Sequence, residues 1–277
     1  VGKRGANPSP TATLITTGAI EADLRADLNR YGPSAADDGL WQDRVAYLRG
    51  SKAKEGAPFR RRYRALGDIV NSGVQYIGAP SPVGGLGAGY AAFATTHKDR
   101  TAALYVGAND GMLHAFSASN GAELFAYIPS WLGPKLSALT DPGYRHQSYV
   151  DATPVVGDAQ LGSANSDWKT VLVGGSGGGG RGVFALDVTD PANFSPSKVL
   201  WEFTDANDRD MGYVLGKPRI VKMKTSAPNA ATASYRWFAM VPAGVNNYVK
   251  KDASDDNFSR TGAPTIFLLA LDKPAGA

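Results

Sequence analysis

Beyond about residue 66 the apolar positions fall in short runs rich in Val, Ile and Tyr and bounded by Gly and Pro, at residues 69–77, 103–106, 112–116, 123–128, 171–173, 182–188 and 199–203. This is the pattern of short β-strands joined by tight turns. Ahead of them the period is helical. Residues 21–30 (EADLRADLNR) set Leu24 and Leu28 four apart among charges, which predicts a short amphipathic helix ending near Gly32 and Pro33. Residues 39–48 put Leu40, Trp41, Val45 and Leu48 on one face, and Asp37 or Asp38 stands where a side chain accepts the free N–H groups of a first turn. Residues 1–20 are polar and without period, a mobile lead-in; residues 49–58 read as a polar loop, and FRRRYR at 59–64 leads into Leu66. Two units are expected: residues 1–65, a lead-in with short helices, and residues 66–277, a β domain.

The β region repeats itself. LYVGANDGMLHAFSASNGAELFAYIP at 104–129 and LVGGSGGGGRGVFALDVTDPANFSPSKVLWEF at 172–203 share an apolar strand, a Gly-containing turn, a second strand ending in Ala-Phe-Ser or Ala-Leu-Asp, and a third strand ending in aromatics. A weaker third copy runs through FAMVPAGVNNY and, after an insertion, TIFLLALD at 265–272. Matching Gly107 to Gly174 and Val173 to Val241 gives a spacing above the ~40–50 residues of common blade repeats, so long inserted loops are implied. A small sheet cannot bury both its faces alone, and radial stacking of such sheets covers them. The expected fold class is all-β: an irregular β-propeller, incomplete in this chain, with a short helical N-terminal appendage. Residues 66–93 suggest a further, partial blade.

Composition narrows the function classes. With 33 Gly and 17 Pro in 277 residues, tight turns outweigh long helices. The 29 basic and 25 acidic residues leave a net charge of only +4, too mild an imbalance to demand nucleic acid. There is no Cys, hence no disulfide, thiolate metal site or cysteine nucleophile. No apolar run reaches the ~18 residues of a membrane span, and the opening VGKRGANPSP has neither an initiator Met nor a signal peptide's apolar stretch. The chain reads as a piece of a longer protein.

Candidate chemistry is sparse. Asn109-Asp110-Gly111 lies between two strands and reads as a type I′ hairpin turn. The run GGSGGGGRG at 174–182 resembles a phosphate loop only superficially, because a strand follows and no Lys-Ser/Thr pair is present; a helix N-terminus is what that chemistry needs. A close-packed or flexible hairpin connection fits better. Asp205, Asn207, Asp208 and Asp210 are the candidate metal ligands, although Arg209 occupies the fifth position of an EF-type loop, where an oxygen donor belongs. Asp252, Asp255, Asp256 and Asn257 form a second acidic cluster, partly neutralised by Lys250 and Lys251. His97, His114 and His146 have no metal-ligand spacing and read as structural. Arg60, Arg61, Arg62 and Arg64 with Phe59 and Tyr63 suit phosphate contact and stacking on paper, but pairing between elements is the better account.

Several segments together resemble the C-terminal propeller domain of the PilY/PilC family of type IV pilus tip adhesins and biogenesis factors. These are YLRG at 47–50, FRRR at 59–62, LGDIVNS at 66–72, VGANDGMLHAF at 106–116, YVD at 149–151, WKTVLVGG at 168–175, GGRGVFALDVT at 179–189, WEF at 201–203 and LLALD at 268–272. They occur in the family's order. The resemblance implies a location at the cell surface or pilus tip after export through the periplasm and outer membrane, contact with pilins and minor pilins, and attachment to host or abiotic surfaces. It implies a role in pilus assembly and in opposing retraction, with no enzyme activity. Calcium is a family cofactor, yet the family's Asp- and Asn-rich calcium loop has no counterpart before Ala277, and the Arg-Gly-Asp tripeptide of some members is absent. Two other readings stand beside it: a quinone-dependent dehydrogenase, whose blades carry similar Gly, Ala-x-Asp and Trp signals, and an inert scaffold of an envelope complex. The dehydrogenase needs a closed ring, a catalytic Asp and often vicinal cysteines. The loops at 131–168 and 246–264 are expected to make the contacts, with the strands as scaffold.

Overall fold

A computed structural model describes residues 14–16, 18, 20–31, 35–82 and 86–273. Three antiparallel sheets stand face to face. The first is ordered β1-β2-β3-β4, with β1 Gln75–Ile77, β2 Ala103–Gly107, β3 Leu113–Ser117 and β4 Glu123–Tyr127. The second is ordered β5-β6-β7-β8, with β5 Val155–Gln160, β6 Trp168–Gly175, β7 Gly182–Asp187 and β8 Val199–Thr204. The third has three strands ordered β11-β10-β9, namely β9 Arg219–Lys224, β10 Tyr235–Pro242 and β11 Ile266–Ala270. The leading strands β1, β5 and β9 lie against one another, so the sheets radiate as propeller blades. The ring is not closed.

Period-2 alternation explains the stacking. On the first blade Ala103, Tyr105, Leu113, Ala115 and Tyr127 point forward and pack on Leu172, Phe184 and Leu186 of the second. The alternate residues of the second blade, Val171, Val173, Val183, Ala185, Trp201 and Phe203, point forward onto Trp237, Ala239, Val241, Phe267 and Leu269 of the third. Blades 1 and 2 share a β-bulge, between Ala115 and Phe116 and between Ala185 and Leu186. Anchored there, the ladders pair Tyr105 with Ala115 and Val173 with Ala185, so Gly107 corresponds to Gly175 and not to Gly174. Val173 faces the third blade whereas Val241 faces back toward the second, so those two valines are not equivalent. A slip of one residue exchanges the faces of a strand, so the bulge, and not a glycine, is the proper anchor for the repeat.

Other expectations are also revised. The first blade's leading strand covers only Gln75–Ile77, because residues 67–73 bond across to later loops and not along a ladder. Residues 66–93 are no separate blade: β1 pairs with β2, and α3 (Tyr90–Thr96) is an insertion within that blade. Strand β9 falls outside every expected run. Helices persist after residue 66 in α3, whose YAAFATT has no charged residue to mark a polar face, and in the four-residue α4 (Gly133–Leu136).

The expected N-terminal helices are α1 (Ala22–Leu28) and α2 (Trp41–Leu48). Asp38 accepts the N–H of Leu40 at 3.0 Å, one position before the helix, and Asn29 that of Trp41 at 3.2 Å, so the first-turn N–H expected to find an acidic residue is met by Asn29 instead. Leu24, Leu28, Val45 and Leu48 join the core between blades 1 and 2. A buried guanidinium ties the helices together: Arg44 forks onto Asp38 at 2.7 and 2.6 Å and donates to the Leu28 carbonyl at 2.7 Å and Thr140 Oγ1 at 3.1 Å. Ile15 and Ile20 pack on the same core; the rest of the lead-in through residue 13, and the stop at Gly32 and Pro33, lie outside the described residues. No described helix is long and apolar enough to cross a membrane.

Candidate binding surface

Residues 66–74 form an extended strap whose polar groups are turned inward. The Gly67 N–H donates to Asp110 Oδ2 at 2.7 Å, the Asn71 N–H and Nδ2 donate to the Asp151 carboxylate at 3.0 and 2.7 Å, and the Gly73 N–H donates to Thr153 Oγ1 at 2.8 Å. Ser72 Oγ accepts the Gly107 N–H at 2.9 Å and donates to the Ala152 carbonyl at 3.1 Å. The strap thus bridges the ends of blades 1 and 2. Its apolar side chains turn outward: Leu66, Ile69, Val70 and Val74 are exposed, as are Tyr76 of β1 just after them and Tyr63 just before them, the latter 90% exposed. Several exposed apolar side chains on one firmly held segment make it a candidate contact surface.

Asn109-Asp110-Gly111 is the strap's main anchor. Ala108 and Met112 close the hairpin with a 3.0 Å N–H···O bond, and of the three residues between them only Gly111 has positive φ, at 98°. A type I′ turn needs positive φ at both central residues, so the connection is the three-residue kind with Gly in the left-handed position. That geometry frees both side chains. Asn109 donates to Asp68 at 3.0 Å and accepts the Tyr149 N–H at 3.0 Å. Asp110 meets His114 Nε2 at 3.1 Å, while His114 Nδ1 meets Glu123 at 2.6 Å. Burial lowers the pKa of His114, but the two carboxylates outweigh it and hold the imidazole up at about 9. His146 pairs with Asp68 at 2.8 Å, and the His97 ring packs on Phe93 at 4.7 Å.

The Gly-rich run is closely packed. A Cβ on Gly179 would stand 1.8 Å from the Tyr149 carbonyl oxygen, and one on Gly180 2.9 Å from Trp131. Lys135 Nζ caps the carbonyls of Ser148 and Gly179 at 2.8 and 2.9 Å, and burial draws its pKa down to about 8. A phosphate loop keeps its glycine N–H groups turned toward an anion; here the run fills the space beside blade 1.

The basic stretch divides by role. Arg62 pairs with Glu55 at 2.8 Å and lies over Tyr47 at 3.5 Å, and Arg60 donates to the Leu139 carbonyl and covers Tyr144. Pairing between elements is therefore what Arg60 and Arg62 do. Arg61 and Arg64 are exposed and rim a cleft of about 390 Å³ that reaches Asp68, Asn109 and His146.

The four candidate metal ligands do not converge. Asp205 is buried and pairs with Lys251 at 2.7 Å and Arg181 at 3.7 Å. Asn207 accepts the Thr204 N–H at 2.9 Å, Asp208 accepts the Asp210 N–H at 2.9 Å, and the Asp210 carbonyl accepts from Asn247 at 3.2 Å. Among the described residues no three His, Asp or Glu side chains gather to hold a metal ion. Asp255 of the second acidic cluster is also buried, 3.5 Å from Arg181, so the fold joins two loops that lie far apart in sequence. Of the two expected contact loops, residues 131–168 divide: Leu132, Leu136, Tyr149 and Val150 are buried, 155–160 form β5, and residues 142, 143, 145, 146 and 162–166 reach the surface. Residues 246–264 do reach the surface, with Tyr248 and Val249 exposed. The strap's outward face is an exposed apolar surface that the sequence reading lacks; its signal is the apolar run LGDIVNSGVQYI, which has no strict alternation.

The chain is similar to known proteins. Residues 66–247 match the PilY1 beta-propeller domain. The chain is 45% identical over 224 residues to the type IV pilus biogenesis factor PilY1 of Pseudomonas aeruginosa strain PAK, covering 76% of this chain and 18% of that protein. It is 41% identical over 239 residues to a PilY1 homolog of Xylella fastidiosa strain Temecula1, covering 80% of this chain and 15% of the relative. A crystal structure of the Pseudomonas aeruginosa PilY1 C-terminal domain aligns with a TM-score of 0.48 and 34% identity, over 68% of this chain and 31% of that one. The chain thus spans less than a fifth of these two curated relatives.

Proposed function

Because the chain belongs to the PilY1 β-propeller family, we propose that it is a non-catalytic binding module of a type IV pilus biogenesis factor, exported to the cell surface or pilus tip. In this reading it contacts pilins or minor pilins, supports assembly against retraction, and contributes to attachment to host or abiotic surfaces. The observation that supports the binding part is the strap, whose polar groups are satisfied inward and whose Val70 and Val74, with Tyr76 just after them, are presented to solvent. A non-catalytic role is supported by how the titratable groups are engaged: His114 with Asp110 and Glu123, His146 with Asp68, and Asp205 with Lys251.

The test is genetic, in the full-length protein. Deleting the gene should reduce surface pili, twitching and adhesion, and complementation with Val70→Asp, Val74→Asp and Tyr76→Asp combined should fail to restore them at normal protein level. Normal piliation, twitching and adhesion in the deletion strain would sink the pilus reading. Full restoration by the triple variant would remove the strap from it.

A further inference from the structure

Residues 246–257 carry neither helix nor strand, yet the loop is closed and ordered by what lies inside it. Its ends are tied by the Ser259 N–H to the Asn247 carbonyl at 2.8 Å. The backbone turns at Asn246 through φ 57°, the one positive φ of a non-glycine among the described residues, which Asn tolerates best. Inside sits Arg181, reaching in from the end of the Gly-rich run with its side chain only 1% exposed.

Three backbone carbonyls converge on that guanidinium. Nη2 donates to the Asn246 carbonyl at 3.0 Å and to the Val249 carbonyl, and Nη1 donates to the Asn257 carbonyl at 3.2 Å. Two carboxylates complete the shell, Asp255 at 3.5 Å and Asp205 at 3.7 Å from Nη1. Asp255 in turn accepts the N–H groups of Lys251 at 2.8 Å and Asn257 at 2.9 Å. The guanidinium, which also lies over the Tyr213 ring at 5.3 Å, is thus surrounded by three carbonyls and two carboxylates, the kind of oxygen set from which a hard divalent cation draws its six to eight ligands. Here a side chain fills that place. The Nε of Arg181 is buried without a hydrogen-bond partner, as expected of a cation held by the surrounding oxygens more than by a fitted fork.

We propose that Arg181 is the resident cation of an oxygen cage made by residues 246–257 and Asp205, standing where a bound metal would, so that the loop keeps its shape without a dissolved ion. The charges support this. Arg181 and Lys251 balance Asp205 and Asp255, and Lys251 is the outer member, 41% exposed. Removing Arg181 leaves two carboxylates and three carbonyls, with Lys251 able to swing into solvent. One calcium ion would neutralise the two carboxylates that remain. This inference concerns the loop alone and stands or falls independently of the pilus reading.

The experiment is residue-resolved hydrogen exchange on the 277-residue chain, native and Arg181→Ala, each in EDTA and in millimolar calcium chloride. In the native chain the Lys251, Asn257 and Ser259 amides should exchange alike in both buffers. In Arg181→Ala they should exchange about tenfold faster or more in EDTA, the signature of local opening, and slow again in calcium. Calcium-dependent protection in the native chain overturns the proposal, as does an unchanged loop in Arg181→Ala with EDTA. A loosened loop that calcium leaves loose also overturns it, because the oxygens would then be no cage. If Arg181→Ala does not fold, Arg181→Gln, with the charge removed and the side chain largely kept, gives the same comparison.

Discussion

Buried between Asp110 and Glu123, His114 is held as a cation, with a folded pKa of about 9 against the ordinary 6.5. Its stabilisation is therefore complete below pH 6.5 and is lost as pH rises through 9, a change of about 3 kcal/mol at ~1.4 kcal/mol per pH unit. Lys135, lowered to about 8, acts in the opposite direction above pH 8. Urea unfolding of the native chain and His114→Gln from pH 6 to 9 isolates the histidine: the gap between them should shrink steadily, and a constant gap refutes the assignment. As a lone histidine in a strand, His114 reads in sequence as structural packing; its charge is legible only once the three-residue turn brings Asp110 back over the strand. Arg44 makes a second residue-scale prediction. Arg44→Ala leaves the buried Leu28 carbonyl without its donor, while the exposed Asp38 can be rehydrated, so the loss is about 1–3 kcal/mol; denaturant midpoints measure it.

At the scale of elements, strands announce themselves where apolar residues run together between turn residues, as in β3, β7 and β8, and stay hidden where they do not. Strand β9 (RIVKMK) carries cations at Arg219, Lys222 and Lys224, and its apolar residues are only partly covered, so its pattern is that of a polar segment. The strap reads as a strand because it is extended and apolar, but its hydrogen bonds go to side chains as far as 80 residues away, which no local pattern records. The Gly-rich run shows the same limit: repeated glycine signals a turn, but not that Tyr149 fills the space a side chain would need. Gly179→Ala should therefore cost more than the ~1 kcal/mol of an ordinary Gly-to-Ala strain, since backbone must move. Gly121→Ala, with nothing within 4 Å but φ of 74°, supplies the comparison for strain without a clash. Thermal unfolding should rank Gly179→Ala well below Gly121→Ala, and equal midpoints would refute the packing argument.

The whole molecule is three blades of an open ring, and that much is legible from the repeats. The third blade differs at its outer edge. Blades 1 and 2 end in a fourth strand, but β11 is the outermost described strand of its sheet, and it carries no charge. Ile266 and Leu268 are exposed there, and the strand register puts Met223 on the same forward face. An uncharged edge beside an apolar face is a template for pairing with another chain, and natural sheets block such edges with Lys. The isolated 277-residue chain should therefore scatter light increasingly with concentration, and Leu268→Lys should reduce this without lowering the unfolding midpoint. Equal scattering by the two proteins would place the sticky surface elsewhere.

The strap also fixes an order of events. It lies early in the chain, but its anchors at Asp110, Asp151 and Thr153 come later, Asp151 80 residues after Asn71. During synthesis from the N-terminus, the polar groups of the strap stay without their partners at Asp110, Asp151 and Thr153 until those later residues have been made and folded. Its docking therefore depends on residues as far as 80 positions further along the chain, so it is secured only after those residues are in place.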